Sequence, residues 1–528
     1  MDAQQTIRLP GSGIAPTDES TPTGRAGDLT PSMITADQWS DETLAAAGIP
    51  VIDTSIVSVG GGMGSFVFVD HLRIAGVPAT AIKVLGVNDH PWDTYEYLTK
   101  NSQIPRKERL RSDSASTPDN IWGFPSYAMR EAWHAKGIIK KLDPIWNVLS
   151  EPILTDYFTP RAGQVFSAIE REAERISYFD CTVKGLVRMT RKRIGGGYFT
   201  ILTPPTGTTA TKRVAYRSRF VHAAVGYPGL RFLPDLQEYR SKYDSTRVVN
   251  AYEPHEHVYE EINRHGGTVI VRGGGIVASR ILQRLIDDRD ATSNNVAIVH
   301  LFRTYITGSH GPGIRWRRPG ANGWAYQGFN WPKAAWGGQL RVQLEKATDE
   351  ERKALFDVMG GTTTPHRKLW LRQLARGRRE GWYRTRIGEV EQVFSRGGAV
   401  ITRIKTDGEI VELPASFIID ATGLEADISE HRYLRDLLEH SGAGRNSKNR
   451  LDVDAGFELR NTNSGNGRIY AVGSPTLGGY YAGVDSFLGL QYAALRIVDQ
   501  LAAQGFCKRI GPIRSISQWV AWRKGKKI

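Results

Sequence analysis

Two short β-branched runs in this chain each end in a triplet of glycines and lead straight into an apolar helical stretch. The first reads Asp53-Thr-Ser-Ile-Val-Ser-Val-Gly60-Gly-Gly62-Met-Gly64-Ser65, the second Thr268-Val-Ile-Val-Arg-Gly273-Gly-Gly275-Ile-Val-Ala278-Ser279. A strand that turns sharply into a helix and lets a pyrophosphate approach its backbone needs glycine where a Cβ would stand in the way. The helix N-terminus behind the turn offers N–H groups and the positive end of a dipole to the anion. Ser65 and Ala278 hold the third position of the pattern, where a small residue lets helix and strand pack closely. One such turn is a weak signal, because plain β-to-α turns also collect glycine. Two, each with strand before and helix after, predict two dinucleotide sites and therefore redox chemistry.

The downstream patterns agree. Val69 and Leu72 fall on one face of the first helix, Gly76 closes it, and a strand is expected over residues 80–85. Ile281, Leu282 and Leu285 form the stripe of the second, followed by a strand over residues 296–302. At 528 residues the chain is too long for one core, and its 40% hydrophobic and 23% charged content is globular. Cys181 and Cys507 are its two cysteines, which excludes a disulfide scaffold, a thiol relay and a cysteine zinc site. No apolar run follows the first charges, so no secretory signal is expected and a reduced cytoplasmic setting follows. The least charged stretch, residues 469–495, is broken by glycines, Pro475 and Asp485, and reads as motif loop plus buried helix rather than a membrane span. The net charge of +14 suits a protein that collects anionic dinucleotides. The excess leaves acidic substrates, an anionic membrane and nucleic acid open, with solubility charge as the default.

Residues 1–47 are rich in Thr, Pro, Ser, Asp and Gly without periodicity and are expected to form a disordered arm. A helix is expected over residues 161–176. A β-meander should follow over 182–191, 198–203 and 212–219, ending in Ala224-Val-Gly226-Tyr227-Pro228. The second nucleotide unit is interrupted after Phe302 by an insert (about 304–386) holding Trp316, Trp324, Trp331, Trp336, Trp370 and Trp382 among many arginines. A second meander is expected over 388–413, then Phe417-Ile-Ile-Asp420-Ala421-Thr-Gly423, then Tyr470-Ala-Val-Gly473-Ser474 and a helix over 487–501.

These landmarks, in this order, resemble flavoproteins with two dinucleotide-binding domains, in particular the flavin-containing and N-hydroxylating monooxygenases. Tyr157-Phe-Thr-Pro160-Arg161 is similar to the segment before the flavin-side helix of that group, and the resemblance runs over residues 50–505. It implies an α/β chain of two Rossmann-like domains with β-meanders and the Trp-rich insert. A discontinuous FAD domain (48–245 and 415–505) would surround an inserted NAD(P)H domain (246–414), with a basic tail at 506–528. FAD would sit at Gly60, Gly62, Gly64 and Ser65 and at Gly423, Gly473 and Ser474; the nicotinamide cofactor would sit at Gly273, Gly275, Ala278 and Ser279. The chain departs from the family in two places. Its second strand ends Val84-Leu85-Gly86 where an acid for the ribose is usual, leaving Asp89 as the nearest candidate, and the family's late Gly-Asp is Gly473-Ser474.

Charge selects the nicotinamide. An acid at the end of the unit's second strand would take the ribose 2′-OH, whereas a 2′-phosphate needs cations. The run His300-Leu-Phe-Arg303, with Arg280 in the first helical turn, favours NADPH over NADH, because an arginine can grip the phosphate bidentately. No catalytic residue is named by motif. Asp485 and Gln491 are candidates beside the isoalloxazine, or else a helix cap and an exposed polar residue. The insert reads equally as a substrate lid, with Arg315, Arg317 or Arg318 for an anionic end, and as an accessory core. His255-x-His257 reads as linker rather than metal site, and the arginines of residues 366–382 read as a charged face rather than a nucleic-acid surface.

The leading expectation is a monooxygenase that uses O2 on a small nitrogen- or sulfur-containing or lipophilic substrate. The alternatives are a reductase of a quinone or carrier protein, and a non-catalytic nucleotide-binding protein held at a membrane by its basic Trp-bearing tail.

Overall fold

A computed structural model describes residues 26–110, 125–150, 154, 158–309, 320–326, 339–359, 364 and 367–528. Two five-stranded parallel sheets form its framework, and they are built alike. In the first, the strand order is Arg468–Ala471, Phe220–Ala223, Ile56–Gly60, Ile82–Gly86, Thr182–Lys184. In the second it is Val248–Asn250, Phe417–Asp420, Gly267–Arg272, Val296–Phe302, Tyr383–Ile387. In each, the strand before a glycine triplet lies at the centre and the helix after it (Met63–Ile74; Ile276–Thr292) packs on the sheet. Parallel strands covered on their faces read as continuous apolar runs, which is why Ile56–Val59 and Val269–Arg272 are buried without alternation.

Each sheet has a meander beside it. Leu186–Arg193, Tyr198–Thr203 and Val214–Ser218 pair antiparallel, as do Glu389–Arg396, Ala399–Thr406 and Glu409–Ala415. Thr182–Lys184, expected in the first meander, instead closes the edge of the first parallel sheet. The long helix is Ala162–Arg175.

Three expectations are revised. The described part of the expected arm is folded: Pro31–Thr35 and Asp41–Ala46 are short helices, and Leu29, Met33, Trp39, Leu44 and Ile49 share a buried cluster with Met189, Phe199 and Ile201. Caps rather than periodicity start these helices, since Thr30 accepts from Met33 N and Ser40 from Thr43 N. Phe417–Asp420 belongs to the second sheet, between Val248–Asn250 and Gly267–Arg272, rather than resuming the first. The C-terminal tail carries a helix, Pro512–Arg523, and is tied to the first unit: Lys508 N donates to Ala75 O, Arg514 Nε to Ile74 O, and Ile528 N to Arg175 O.

Candidate functional site: two glycine turns and a cleft

The first turn is a strained, open hook. Gly60 and Gly61 have φ of +135° and +72°, a region closed to most side chains, and a Cβ on Gly60 would collide with the carbonyl oxygen of Ala224. Gly62 caps the helix Met63–Ile74 with no side chain to satisfy its first N–H groups, which leaves them for an anion. Around the turn lies an open cleft. Its walls are Gly60, Gly62, Gly64, Asn88, the Ala224–Tyr227 segment, Gly473, Ser474, Asp485 and Leu490. The glycines fit a dinucleotide here: at Gly62 the space a Cβ would take has no heavy atom nearer than 3.8 Å, while a Cβ on Gly64 would lie 3.0 Å from the Ala224 methyl.

Ser65 has another task. It is fully buried, accepts from Gly61 N at 3.2 Å, and accepts from Ser58 Oγ at 2.9 Å. Ser58 in turn meets His222 Nδ1 at 2.9 Å, directly across the parallel ladder. With its proton committed to Ser65, Ser58 accepts from His222, so the imidazole is neutral with its proton on Nδ1. Burial lowers the His222 pKa to about 3, and the ring stacks on Phe68 at 4.1 Å. The turn is thus fastened from beneath by a histidine on the neighbouring strand, 164 residues away in sequence. The sequence carried one trace of it: single polar residues at the paired positions of two buried runs, Ile56-Val-Ser58-Val and Phe220-Val-His222-Ala.

Asp89 does not face the cleft. Its side chain is 82% exposed and pairs with Lys184 at 2.7 Å, while Asn88 lines the wall instead. The cleft's carboxylate comes from Asp485, which accepts from Tyr227 Oη at 2.8 Å and is the one charged residue among those lining it. Burial and this carboxylate push the Tyr227 phenol well above its usual range. The helix Phe487–Ala503 is capped by Ser486, which accepts from Gly489 N, so Asp485 is free of that duty. Gln491 is buried in the same helix, outside the cleft walls.

The second turn repeats the design. Gly273 has φ +119°, and a Cβ there would lie 2.5 Å from the Ala421 carbonyl oxygen, just as Gly60 lies under Ala224. Ala421-Thr-Gly423 is therefore the second unit's counterpart of Ala224-Val-Gly226, and Gly423 stands beside the second turn, not the first. Asp420 shapes that loop by accepting from Thr422 N at 3.0 Å and Thr422 Oγ1 at 2.7 Å, and burial raises its carboxyl to about 6. His300, lowered to about 4 by burial, donates from Nε2 to Gly273 O at 2.6 Å and accepts from Tyr383 Oη at 2.9 Å. Gly275 caps the helix with no side chain.

Ala278 and Ser279 are fully buried, and Ser279 donates to Ile276 O and bonds to Thr364 Oγ1. Both pack rather than face an anion. Arg280 is buried as well: its Nε donates to Gln103 O and its guanidinium lies 3.7 Å from Glu108, which fastens the second unit to the first. Arg303 is exposed at the end of Val296–Phe302, with no partner among the described residues.

The insert divides. Trp324, Trp370 and Trp382 are buried in the second unit's core, with Trp324 and Trp370 edge to face at 4.9 Å, so this part is accessory core. Trp316, Trp331, Trp336, Arg315, Arg317 and Arg318 lie outside the described residues. The basic helix Lys368–Glu380 docks on Ile276–Thr292 through Arg376–Asp290 and Gln373–Asp287. His255 is bonded to Glu253 O and Tyr259 Oη, His257 to Thr246 O, and among the described residues no cluster suits a metal ion.

The sequence matches no protein-family model and no curated protein sequence. The fold is similar to that of the N-hydroxylating flavoprotein monooxygenases. An ornithine hydroxylase from Pseudomonas aeruginosa aligns with a TM-score of 0.60 at 14% identity, over 86% of this chain and 99% of its own. An ornithine N-hydroxylase from Kutzneria sp. 744, holding reduced FAD, NADP+ and L-ornithine, aligns with a TM-score of 0.60 at 12% identity, over 86% and 100%. A bacillithiol disulfide reductase from Bacillus cereus aligns with a TM-score of 0.50 at 12% identity, over 86% and 100%. At these identities the likeness is one of fold, and it contains both a monooxygenase and a reductase.

Proposed function

We propose that this chain is an FAD-dependent monooxygenase that oxidises NADPH and hydroxylates the nitrogen of a small amine. One observation carries the reading: the cleft at the Gly60 turn offers backbone N–H groups and a single carboxylate, Asp485, while a second turn of the same design stands in the adjoining sheet. Gly60, Gly62 and the N-terminus of Met63–Ile74 would hold the FAD pyrophosphate, with Gly473 and Ser474 on the opposite wall. Bound FAD supplies the two-electron acceptor and the oxygen-activating group. Gly273 and Gly275 would hold the NADPH pyrophosphate, and Arg303 its 2′-phosphate. Asp485, steadied by Tyr227, would hold a second, non-reacting ammonium of the substrate and so orient the unprotonated nitrogen that is hydroxylated.

A dithiol relay has no support here. Cys181 is buried with its thiol pushed up to about 11, and Cys507, also raised to about 11, bonds to Val498 O. The two free cysteines fit a cytoplasmic setting. The test is direct. Purified protein should carry flavin absorbance, NADPH should bleach it without air, and oxygen uptake should rise with ornithine, lysine or cadaverine while a hydroxylamine accumulates. Absence of flavin that added FAD cannot restore would overturn the reading. NADPH-driven quinone reduction without any amine-dependent hydroxylamine would assign the chain to the reductases instead.

A further inference from the structure

The helix Ile138–Ser150 is amphipathic and faces the wrong way for a core helix. Successive residues turn by about 100°, which places Ile138, Ile139, Leu142, Ile145, Trp146 and Leu149 within one third of its circumference. That stripe is exposed: Ile139 is 84% accessible, Leu149 76% and Trp146 54%. The buried positions are instead Pro144 and Ser150. The preceding helix, Pro125–His134, adds Trp133 at 82%. The C-terminal helix Pro512–Arg523 repeats the inversion with Ile513, Ile516 and Val520 outward, and Arg130 lies over its Trp522 ring at 5.2 Å, which sets the two structures side by side. A water-soluble surface scatters single apolar residues; a contiguous stripe with two exposed tryptophans marks a contact site.

We propose that this face docks the protein on an anionic lipid surface, with the two inverted helices lying in the plane of the headgroups. Thirteen residues are too few to span a bilayer, and among the described residues no helix is long and apolar enough to do so. Tryptophans beside an apolar stripe with lysines at its margins are the pattern of an interfacial helix. Cations flank the face: Lys136 and Lys141 on the hairpin, and Arg523, Lys524, Lys526 and Lys527 at the end of the other helix, all exposed. Asp143 is the only carboxylate on Ile138–Ser150, and Glu131 is taken by Arg109 at 2.6 Å.

The experiment is vesicle cosedimentation of the full chain at physiological salt, without NADPH, so that its outcome is independent of turnover. Phosphatidylcholine vesicles with and without phosphatidylglycerol are compared. Binding should require the anionic lipid and shift the tryptophan emission to the blue. The variant Ile139→Asp/Trp146→Asp/Leu149→Asp alters only exposed side chains, so an unchanged circular dichroism spectrum is expected together with at least tenfold weaker binding. Lys136→Glu/Lys141→Glu should weaken binding by about fivefold or more per residue. Equal sedimentation with and without vesicles overturns the proposal, as does full binding by the triple aspartate variant. An oligomer that this variant splits into monomers in light scattering, with no lipid effect, assigns the face to a second copy.

Discussion

The chain Gly61 N–H to Ser65, Ser58 to Ser65, and His222 to Ser58 makes the first turn depend on three buried hydrogen bonds. Ser65→Ala removes two of them and strands the Gly61 N–H and the Ser58 hydroxyl. Ser58→Ala also removes two, stranding the His222 N–H. At about 1 kcal/mol per buried bond, each single substitution should cost about 2 kcal/mol. The double variant loses three bonds, not four, because the Ser58–Ser65 bond is shared, so it should cost about 3 kcal/mol. The coupling between the sites is then about 1 kcal/mol. Equilibrium urea unfolding of the flavin-bound form, followed by flavin fluorescence and tryptophan emission, measures all four corners of the cycle. The flavin dissociation constant should rise by a larger factor in Ser65→Ala than in Ser58→Ala, because only Ser65 touches the turn backbone. Additivity within about 0.3 kcal/mol, or single losses below about 0.5 kcal/mol, would refute the shared-bond reasoning.

Three further outcomes are expected. His71, His222 and His300 are buried neutral with pKa values lowered to about 4, 3 and 4, below the ordinary 6.5. The unfolded chain binds protons that the native one refuses, so stability is full above about pH 6.5 and falls as pH drops toward 4, by up to about 4 kcal/mol per pH unit for the three together; urea midpoints that stay flat between pH 7 and 5 would contradict this. Arg303→Gln should raise KM for NADPH by about tenfold or more with little change for NADH, whereas Arg280→Gln should leave the NADPH/NADH ratio as it is; steady-state kinetics with both cofactors checks the pair. Asp485→Asn should raise KM for the amine by about tenfold while flavin content per chain stays constant, and an unchanged KM removes the ammonium role.

The glycine turns, their flanking strands and helices, both meanders and the long helix were legible in the sequence because each is a local pattern. Periodicity, a turn residue and a cap are written within a dozen residues of one another. What failed were statements that need a partner from far along the chain. Arg280 had the right spacing for a phosphate ligand, yet its neighbour is the Gln103–Glu108 segment, which no local rule brings to that helix. Asp89 stood one residue from the wall that Asn88 forms, and the lysine that holds it outward comes from Thr182–Lys184 at the sheet edge.

By itself, then, the sequence determined that two strand–turn–helix units with phosphate-sized hooks exist, since only glycine tolerates a φ near +120° beneath a neighbouring carbonyl. The tertiary structure decided which strands share a sheet, and with that which loop serves which turn. Phe417–Asp420 is as apolar as any strand of the first sheet, and nothing in its residues says that it pairs with Gly267–Arg272. Strand pairing is satisfied by any backbone, so its choice rests on the packing of the whole. The same holds for Ile138–Ser150: no helix is expected there from the sequence, and only the folded chain shows both the helix and the outward direction of its apolar stripe.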